Sequence, residues 1–92
     1  MMNTTTKRDI GTKIAQFVAH FGYTPTAKQI ASVPASRIDD FRDTHGEVWT
    51  GTDEQIATWV ILQWFDYAPG EIRGFIRRGL PYAKIVEIWN AD

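Results

Sequence analysis

Four basic residues in the last quarter of the chain have the types and spacing best suited to binding chemistry. They are Arg73, Arg77, Arg78 and Lys84, and no acidic residue lies between the first and the last of them. Arg73 and Arg77 are four residues apart, so they share one face of a helix. Such groups bind phosphate or carboxylate. The spacing predicts a cationic patch that contacts nucleic acid or an acidic protein surface.

Trp89 lies close to this patch in the sequence and is an aromatic residue that we expect to be partly exposed. An exposed Trp beside a basic side chain is the usual composition of an interface hot spot. We therefore predict a contact cluster of Trp89, Arg78 and Lys84. The alternative is an ordinary solvated helix face, since cations near the end of a helix are favoured by its dipole.

A second charged cluster is acidic and consists of Asp39, Asp40 and Asp43. Asp39 and Asp43 share a helix face, and carboxylates at that spacing can bind Mg²⁺ or Ca²⁺. No second group of ligands or phosphate-binding loop adjoins them, so no metal is predicted. The cluster is expected to be a solvated surface, or an alternative contact for a partner with a basic surface.

The sequence contains no pattern that predicts catalysis. There is no Cys, which excludes a thiolate metal site or a Cys nucleophile, and the seven glycines form no phosphate-binding motif. No arrangement of Ser, His and Asp indicates a nucleophile with its base. We predict no catalytic residue, no cofactor and no enzymatic activity.

Helices must position these residues, because apolar side chains recur at helical spacing and no segment alternates as a strand does. The predicted helices begin at or next to Thr6, Pro25, Pro34, Asp53, Pro69 and Pro81. The first is expected to run from Thr6 to Phe21, with Thr6 and Asp9 as a capping box. The second is expected to bury Ala27, Ile30 and Ala31.

The fourth helix, residues 53–67, is apolar on nearly every side, so we expect it to be central and to pack against both halves of the chain. A brief extended segment is predicted just before it, at residues 48–50. The predicted fold is therefore all-α, with five to six helices around a central apolar helix.

A pattern that occurs twice predicts a duplicated unit. Residues 14–18, IAQFV, return as residues 56–60, IATWV, and the Pro34 motif PASRIDDF returns at Pro81 as PYAKIVEI. We predict a single domain that contains two divergent three-helix units, residues 6–46 and 52–91.

Residues 17–41, FVAHFGYTPTAKQIASVPASRIDDF, resemble the DNA-binding domain of LexA-type winged-helix repressors. The similarity lies in the turn Gly22-Tyr23-Thr24-Pro25-Thr26 and in Ile30-Ala31. In that family a helix ends in such a turn and is followed by a short helix, a second turn and a recognition helix. The resemblance implies a helix-turn-helix and contact with DNA.

Carboxylates on the third helix would lie beside DNA phosphates if that helix entered a groove, and they would repel them. Any nucleic-acid contact is therefore predicted for the second unit. The net charge of -1 is also unlike the strongly basic balance of a dedicated nucleic-acid binder.

The length of 92 residues allows one modest core, to which four Trp, three Tyr and five Phe contribute. The absence of Cys suits the cytoplasm. The longest uncharged apolar stretch, residues 56–65, is shorter than the roughly 20 residues of a membrane span. We therefore predict a cytoplasmic protein that does not enter the membrane.

Three binding functions stay open. The first is contact with nucleic acid, or with a nucleoprotein complex, through the basic residues of the second unit. The alternative is an inhibitor that binds a host protein complex, since phage and mobile-element inhibitors such as anti-CRISPR and anti-restriction proteins have this size and character. A homodimeric adaptor is the third.

Overall fold

The computed structural model describes residues 7–91, which contain six α-helices and one pair of two-residue strands. In chain order the elements are β1 (Arg8–Asp9), α1 (Ile10–Phe21), α2 (Ala27–Ser32), α3 (Ala35–His45), β2 (Trp49–Thr50), α4 (Asp53–Tyr67), α5 (Gly70–Arg77) and α6 (Tyr82–Asn90). The predicted all-α class is confirmed. The division into two related units of three helices stays a prediction.

Helix α4 lies at the centre of the fold and contacts α1, α2, α3 and α5. It begins with the capping box of Thr52 and Gln55, in which each residue's backbone N–H donates to the other's side chain. Residues 56–62 and Phe65 are all buried. A helix that is apolar all round is stable only when protein surrounds it. The predicted central helix is confirmed.

The start of α1 differs from the prediction, because the helix begins at Ile10. Arg8–Asp9 forms a strand parallel to Trp49–Thr50, and the Asp9 carboxylate accepts a hydrogen bond from the Gly11 N–H at 3.0 Å. Asp9 therefore caps the helix from outside it. Thr6, the other member of the predicted capping box, lies outside the described residues. The extended segment predicted at residues 48–50 is confirmed at Trp49–Thr50.

Helix α2 also starts later than predicted and buries a different face. Its N-cap is Thr26, which forms a capping box with Gln29. Ala27 and Ala31, predicted to be buried, are exposed, whereas Ile30 is half-buried against the core and Gln29 is fully buried. A buried amide is tolerated only when its hydrogen-bonding groups find partners, and the surroundings of Gln29 provide them.

The Gln29 side chain joins α2 and the turn before it to α5 and the turn after α5. Its Oε1 accepts hydrogen bonds from the Tyr23 hydroxyl at 2.6 Å and the Thr26 N–H at 3.0 Å. Its Nε2 donates to the carbonyl oxygens of Ile76 and Leu80, at 2.8 and 2.9 Å. The amide thus makes four hydrogen bonds, one of them to Ile76 in α5 and one to Leu80 in the turn that links α5 to α6. It sets the position of α5 and α6 on the core.

The Tyr23 hydroxyl in this network is a weaker acid than a tyrosine in water. Burial raises the pKa of Tyr23 to about 12, although the hydrogen bond to Gln29 and the positive charge of Arg77 act in the opposite direction. The ring also stacks on Phe65, with centroids 4.6 Å apart. Tyr23 is therefore neutral at physiological pH and acts as a hydrogen-bond donor in the core.

Ser32, the last residue of α2, caps α6. Its Oγ donates to the Gln29 carbonyl at 2.6 Å and accepts from the Tyr82 N–H at 2.9 Å. The N-cap residue of α6 is Pro81, whose side chain makes no capping hydrogen bond. Ser32 therefore satisfies an N–H that would otherwise lack a protein acceptor at the start of α6.

We expect Ser32→Ala to lower the free energy of unfolding by roughly 1 kcal/mol, the usual effect of losing a capping hydroxyl. The melting temperature should then fall by roughly 4 to 8 °C. Ser36→Ala is the matched control, because Ser36 is exposed on α3. Thermal unfolding followed by circular dichroism compares the two variants, and equal melting temperatures would contradict the cross-helix cap.

Candidate functional site

Arg73, a member of the predicted cationic patch, binds the end of the central helix. Its Nε donates to the Phe65 carbonyl at 2.8 Å and its Nη2 to the Asp66 carbonyl at 2.6 Å. The guanidinium lies over the rings of Phe21 and Phe65, 5.3 and 5.4 Å from their centroids. The carbonyls at a helix C-terminus carry partial negative charge. Arg73 therefore stabilises the C-terminus of α4.

Arg77 acts in the same way at the end of α1. Its Nη1 donates to the Gly22 carbonyl at 3.1 Å and its Nη2 to the Phe21 carbonyl at 3.4 Å. The guanidinium also lies 5.1 Å from the ring centroid of Phe65. The shared helix face of Arg73 and Arg77 thus points at two helix C-termini, so donors of both groups already have protein acceptors.

The other predicted contact residues are not all brought together. Arg78 follows α5 and is exposed. Lys84 is exposed on α6 and pairs with Glu87 at 3.4 Å. Trp89 lies five residues beyond Lys84, which is roughly 140° around a helix, and its ring packs edge-on against Trp64 with centroids 5.4 Å apart. The structure thus places Lys84 and Trp89 on different faces of α6.

The three acidic candidates are all exposed on α3. Asp39 and Asp43 lie on the same face, and Asp40 is rotated roughly 100° away from Asp39. Within residues 7–91 no three His, Asp or Glu side chains converge in a way that could hold a metal ion. The acidic residues are therefore available to macromolecular partners or to solvent.

An open groove of about 270 Å³ lies where α3, α4 and α6 meet, and we call it the aromatic groove. Its lining residues are Arg37, Gln63, Trp64, Tyr67 and Trp89. Tyr67 is 69% exposed and Trp89 is 45% exposed. Large aromatic side chains are costly to leave in water, so a concave surface that exposes two of them and adds an arginine is a candidate binding site.

Sequence reasoning found Trp89 but missed the other members of the aromatic groove. Trp64 belongs to the helix that we predicted to be central, and it is only half-buried. The spacing of Trp64 and Tyr67, three residues apart, was a usable signal because it puts both on one helix face. Arg37 comes from another helix, so its proximity depends on how α3 packs against α4.

Comparison of the chain with models of known protein families, with curated proteins and with solved structures found no match. The resemblance of residues 17–41 to LexA-type repressors therefore stays a prediction. None of the helices in the described part of the chain has both the length and the apolar character needed to cross a membrane.

Proposed function

We propose that this chain is a non-enzymatic binding protein of the cytoplasm that contacts another protein through the aromatic groove. The observation that carries the proposal is the exposure of Tyr67 and Trp89, 69% and 45%, around one concave surface. Trp, Tyr and Arg are the residues that most often dominate the energy of protein interfaces. An inhibitor or adaptor that acts by occupying a site on a larger protein complex fits this composition.

The chemistry of the groove defines what it would bind. The edge-on rings of Trp64 and Trp89 offer an apolar slot for an aliphatic or aromatic side chain. Arg37 at the rim would donate hydrogen bonds to a carboxylate or a backbone carbonyl. The expected partner element is a protein segment with an apolar anchor next to a hydrogen-bond acceptor.

Electrostatics favour a protein partner over nucleic acid. Among the lining residues, Arg37 is the only charged side chain, and Asp39, Asp40 and Asp43 follow it on α3. Phosphate binding needs several unopposed cations, and two guanidinium nitrogens of Arg73 and two of Arg77 already donate to backbone carbonyls.

A nucleic-acid contact is the second candidate function. The observation that favours it is the exposure of Arg78 and Lys84 in a stretch without acidic residues. Such a contact would depend on these two side chains and would weaken steeply with salt.

We expect Tyr67→Ala and Trp89→Ala each to raise the dissociation constant of the protein partner by about tenfold or more, as at interface hot spots. Tyr67→Ala is the cleaner variant, because a side chain 69% exposed contributes little to the core. The matched control is Phe75→Ala, which removes another exposed aromatic side chain, on α5.

The partner is identified by quantitative affinity capture from an extract of the native cells, and its affinity for each variant is measured by calorimetry. Equal affinities for the wild type, Tyr67→Ala and Trp89→Ala would overturn the aromatic groove as the contact surface.

Fluorescence anisotropy with duplex and single-stranded oligonucleotides tests the second candidate function, the nucleic-acid contact. Binding at low salt that is lost in an Arg78→Ala, Lys84→Ala double variant would support it and replace the first proposal.

A further inference from the structure

Three side chains of the aromatic groove are half-buried and carry hydrogen-bond donors that find no acceptor among residues 7–91. They are Arg37, Gln63 and Trp64. None of the three side chains forms an ion pair or a hydrogen bond within the part of the chain that the structure describes. In that same part no buried side-chain nitrogen or oxygen lacks a partner, so these unpaired donors are accessible from the surface.

The aromatic groove offers more donors than acceptors. The guanidinium of Arg37 and the indoles of Trp64 and Trp89 can only donate. The Tyr67 hydroxyl and the Gln63 amide can both donate and accept. A ligand that covers a half-buried donor excludes the water that would otherwise satisfy it, so the ligand must supply an acceptor in its place. The groove is therefore suited to a segment that presents acceptors and few donors of its own.

The backbone conformation of a ligand decides whether it can present such acceptors. The carbonyls of an α-helix are already bonded to its own N–H groups. A β-strand presents N–H groups as well as carbonyls and adds to a sheet edge, whereas the lining residues belong to the helices α3, α4 and α6. A proline-rich segment in the polyproline II conformation has free carbonyls, and its prolines have no N–H. This third conformation matches the donors of the groove.

The aromatic rings of the groove fit the same ligand. Trp64 and Trp89 meet edge-on with centroids 5.4 Å apart, and Tyr67 and Trp89 are largely exposed. Domains that recognise polyproline II segments bind them in aromatic-lined grooves. A polyproline II helix also exists before binding, so binding costs little conformational entropy. A low ordering cost favours such a ligand in a groove of only about 270 Å³.

We propose that the aromatic groove binds a proline-rich segment in the polyproline II conformation. This inference rests on the proposed function and deepens it, since it names the kind of segment that the partner contributes. Proline rings pack on the aromatic side chains, and the carbonyls between them accept hydrogen bonds from N–H groups of the groove. The lining includes Arg37 and no acidic residue, which disfavours a cationic ligand such as a methylated lysine.

The test uses a panel of fluorescent peptides of about ten residues, in which pairs of prolines alternate with single apolar residues, so that each polyproline II turn has three residues. Leucine, valine, phenylalanine or tyrosine occupies the positions between the pairs. A control panel has alanine in place of every proline, which restores the N–H groups and removes the polyproline II preference. We expect saturable binding of at least one proline peptide in fluorescence anisotropy, about tenfold or more tighter than its alanine counterpart.

The indole N–H resonances report the contact directly. The chain has four Trp, and each gives one indole signal in nuclear magnetic resonance spectra. The signals of Trp64 and Trp89 should shift when the proline peptide is added. The signals of Trp49 and Trp59 are the internal control, because neither residue lines the groove, and they should not move.

Three variants separate the hydrogen bonds from the ring surface. Trp89→Phe keeps an aromatic ring and removes one donor, so it should weaken the proline peptide by roughly threefold to tenfold. Arg37→Leu removes the guanidinium and should weaken it by a similar factor. Arg78→Leu makes the same change at an exposed position outside the groove, and it should leave the affinity within about twofold of the wild type. In Trp89→Phe and Arg37→Leu the preference for proline over alanine peptides should also fall, which misfolding cannot imitate.

The inference is overturned by the absence of saturable binding across the panel, by equal affinities for proline and alanine peptides, or by indole shifts that spare Trp64 and Trp89. Its failure is distinguishable from that of the proposed function. If Tyr67→Ala weakens the captured partner although no proline peptide binds, the groove is the contact surface and only the ligand class is wrong. If Tyr67→Ala and Trp89→Ala leave both the captured partner and the peptides unaffected, both proposals are overturned.

Discussion

Gln29→Ala is expected to lower the free energy of unfolding by roughly 3 to 5 kcal/mol, because it creates a cavity and leaves buried polar groups without partners. The Leu80 carbonyl loses its side-chain donor and the Thr26 N–H loses its acceptor, whereas the Tyr23 hydroxyl keeps one acceptor, the Ile76 carbonyl at 3.3 Å. Domains of this size are stable by only about 5 to 15 kcal/mol. Chemical denaturation followed by circular dichroism measures the change.

Gln16→Ala is the matched control, since Gln16 is exposed on α1, and it should change the free energy of unfolding by less than about 0.5 kcal/mol. The cross-helix role of Gln29 would be refuted by a loss in Gln29→Ala no larger than that of the control. The control also removes helix propensity as an explanation, because both changes replace a helical glutamine by alanine.

The isosteric variant Gln29→Glu tests the hydrogen bonds without creating a cavity. A carboxyl at this position is buried and faces two carbonyl oxygens, so its folded-state pKa is raised above the unfolded value. The folded protein then binds more protons than the unfolded chain between those two pKa values. The stability of Gln29→Glu relative to the wild type should therefore be highest at acidic pH and fall as the pH rises.

The helices themselves were predictable because their signals are local. The apolar residues of α4, the capping box at Thr52 and the left-handed Gly22 that ends α1 are all readable within one or two turns of sequence. The start of α1 was not predictable in this way. It depends on pairing between Arg8 and Trp49, which are distant in the chain.

The buried face of α2 was predicted wrongly for a physical reason. Hydrophobicity favoured Ala27 and Ala31 as core residues and gave Gln29 no reason to be inside. The partners that make burial of Gln29 favourable are the carbonyls of Ile76 and Leu80, which lie 47 and 51 residues further along the chain. Local periodicity contains no information about such partners.

In the candidate sites, too, sequence spacing revealed some features and missed others. Sequence spacing gave Arg73 and Arg77 one common face, but it did not reveal that this face points at the ends of α1 and α4. It selected Trp89 as an exposed aromatic residue, but it paired Trp89 with Lys84, which lies on another face of α6. The five-residue spacing of Lys84 and Trp89 already implied separate faces. The meeting of Arg37 with Trp89, by contrast, depends on how the helices cross, and that geometry is absent from the helical period.

Arg73→Ala is expected to lower the free energy of unfolding by roughly 2 to 3 kcal/mol, through the loss of two charge-assisted hydrogen bonds and of contacts with two aromatic rings. Arg73→Lys should recover only part of this loss, since an ammonium cannot donate to the Phe65 and Asp66 carbonyls in the planar geometry of a guanidinium. Chemical denaturation at low and at high salt measures both variants. The loss should persist at high salt, because Arg73 is half-buried.

Arg78→Ala is the matched control from the same cationic stretch. Arg78 is exposed, so its replacement should change the free energy of unfolding by less than about 0.5 kcal/mol. A structural role for Arg73 requires Arg73→Ala to lower stability more than Arg78→Ala does, and to leave the affinity for oligonucleotides unchanged. If Arg73→Ala instead leaves stability unchanged and abolishes nucleic-acid binding, its hydrogen bonds to the end of α4 contribute nothing, and the cationic stretch is the functional surface of this protein.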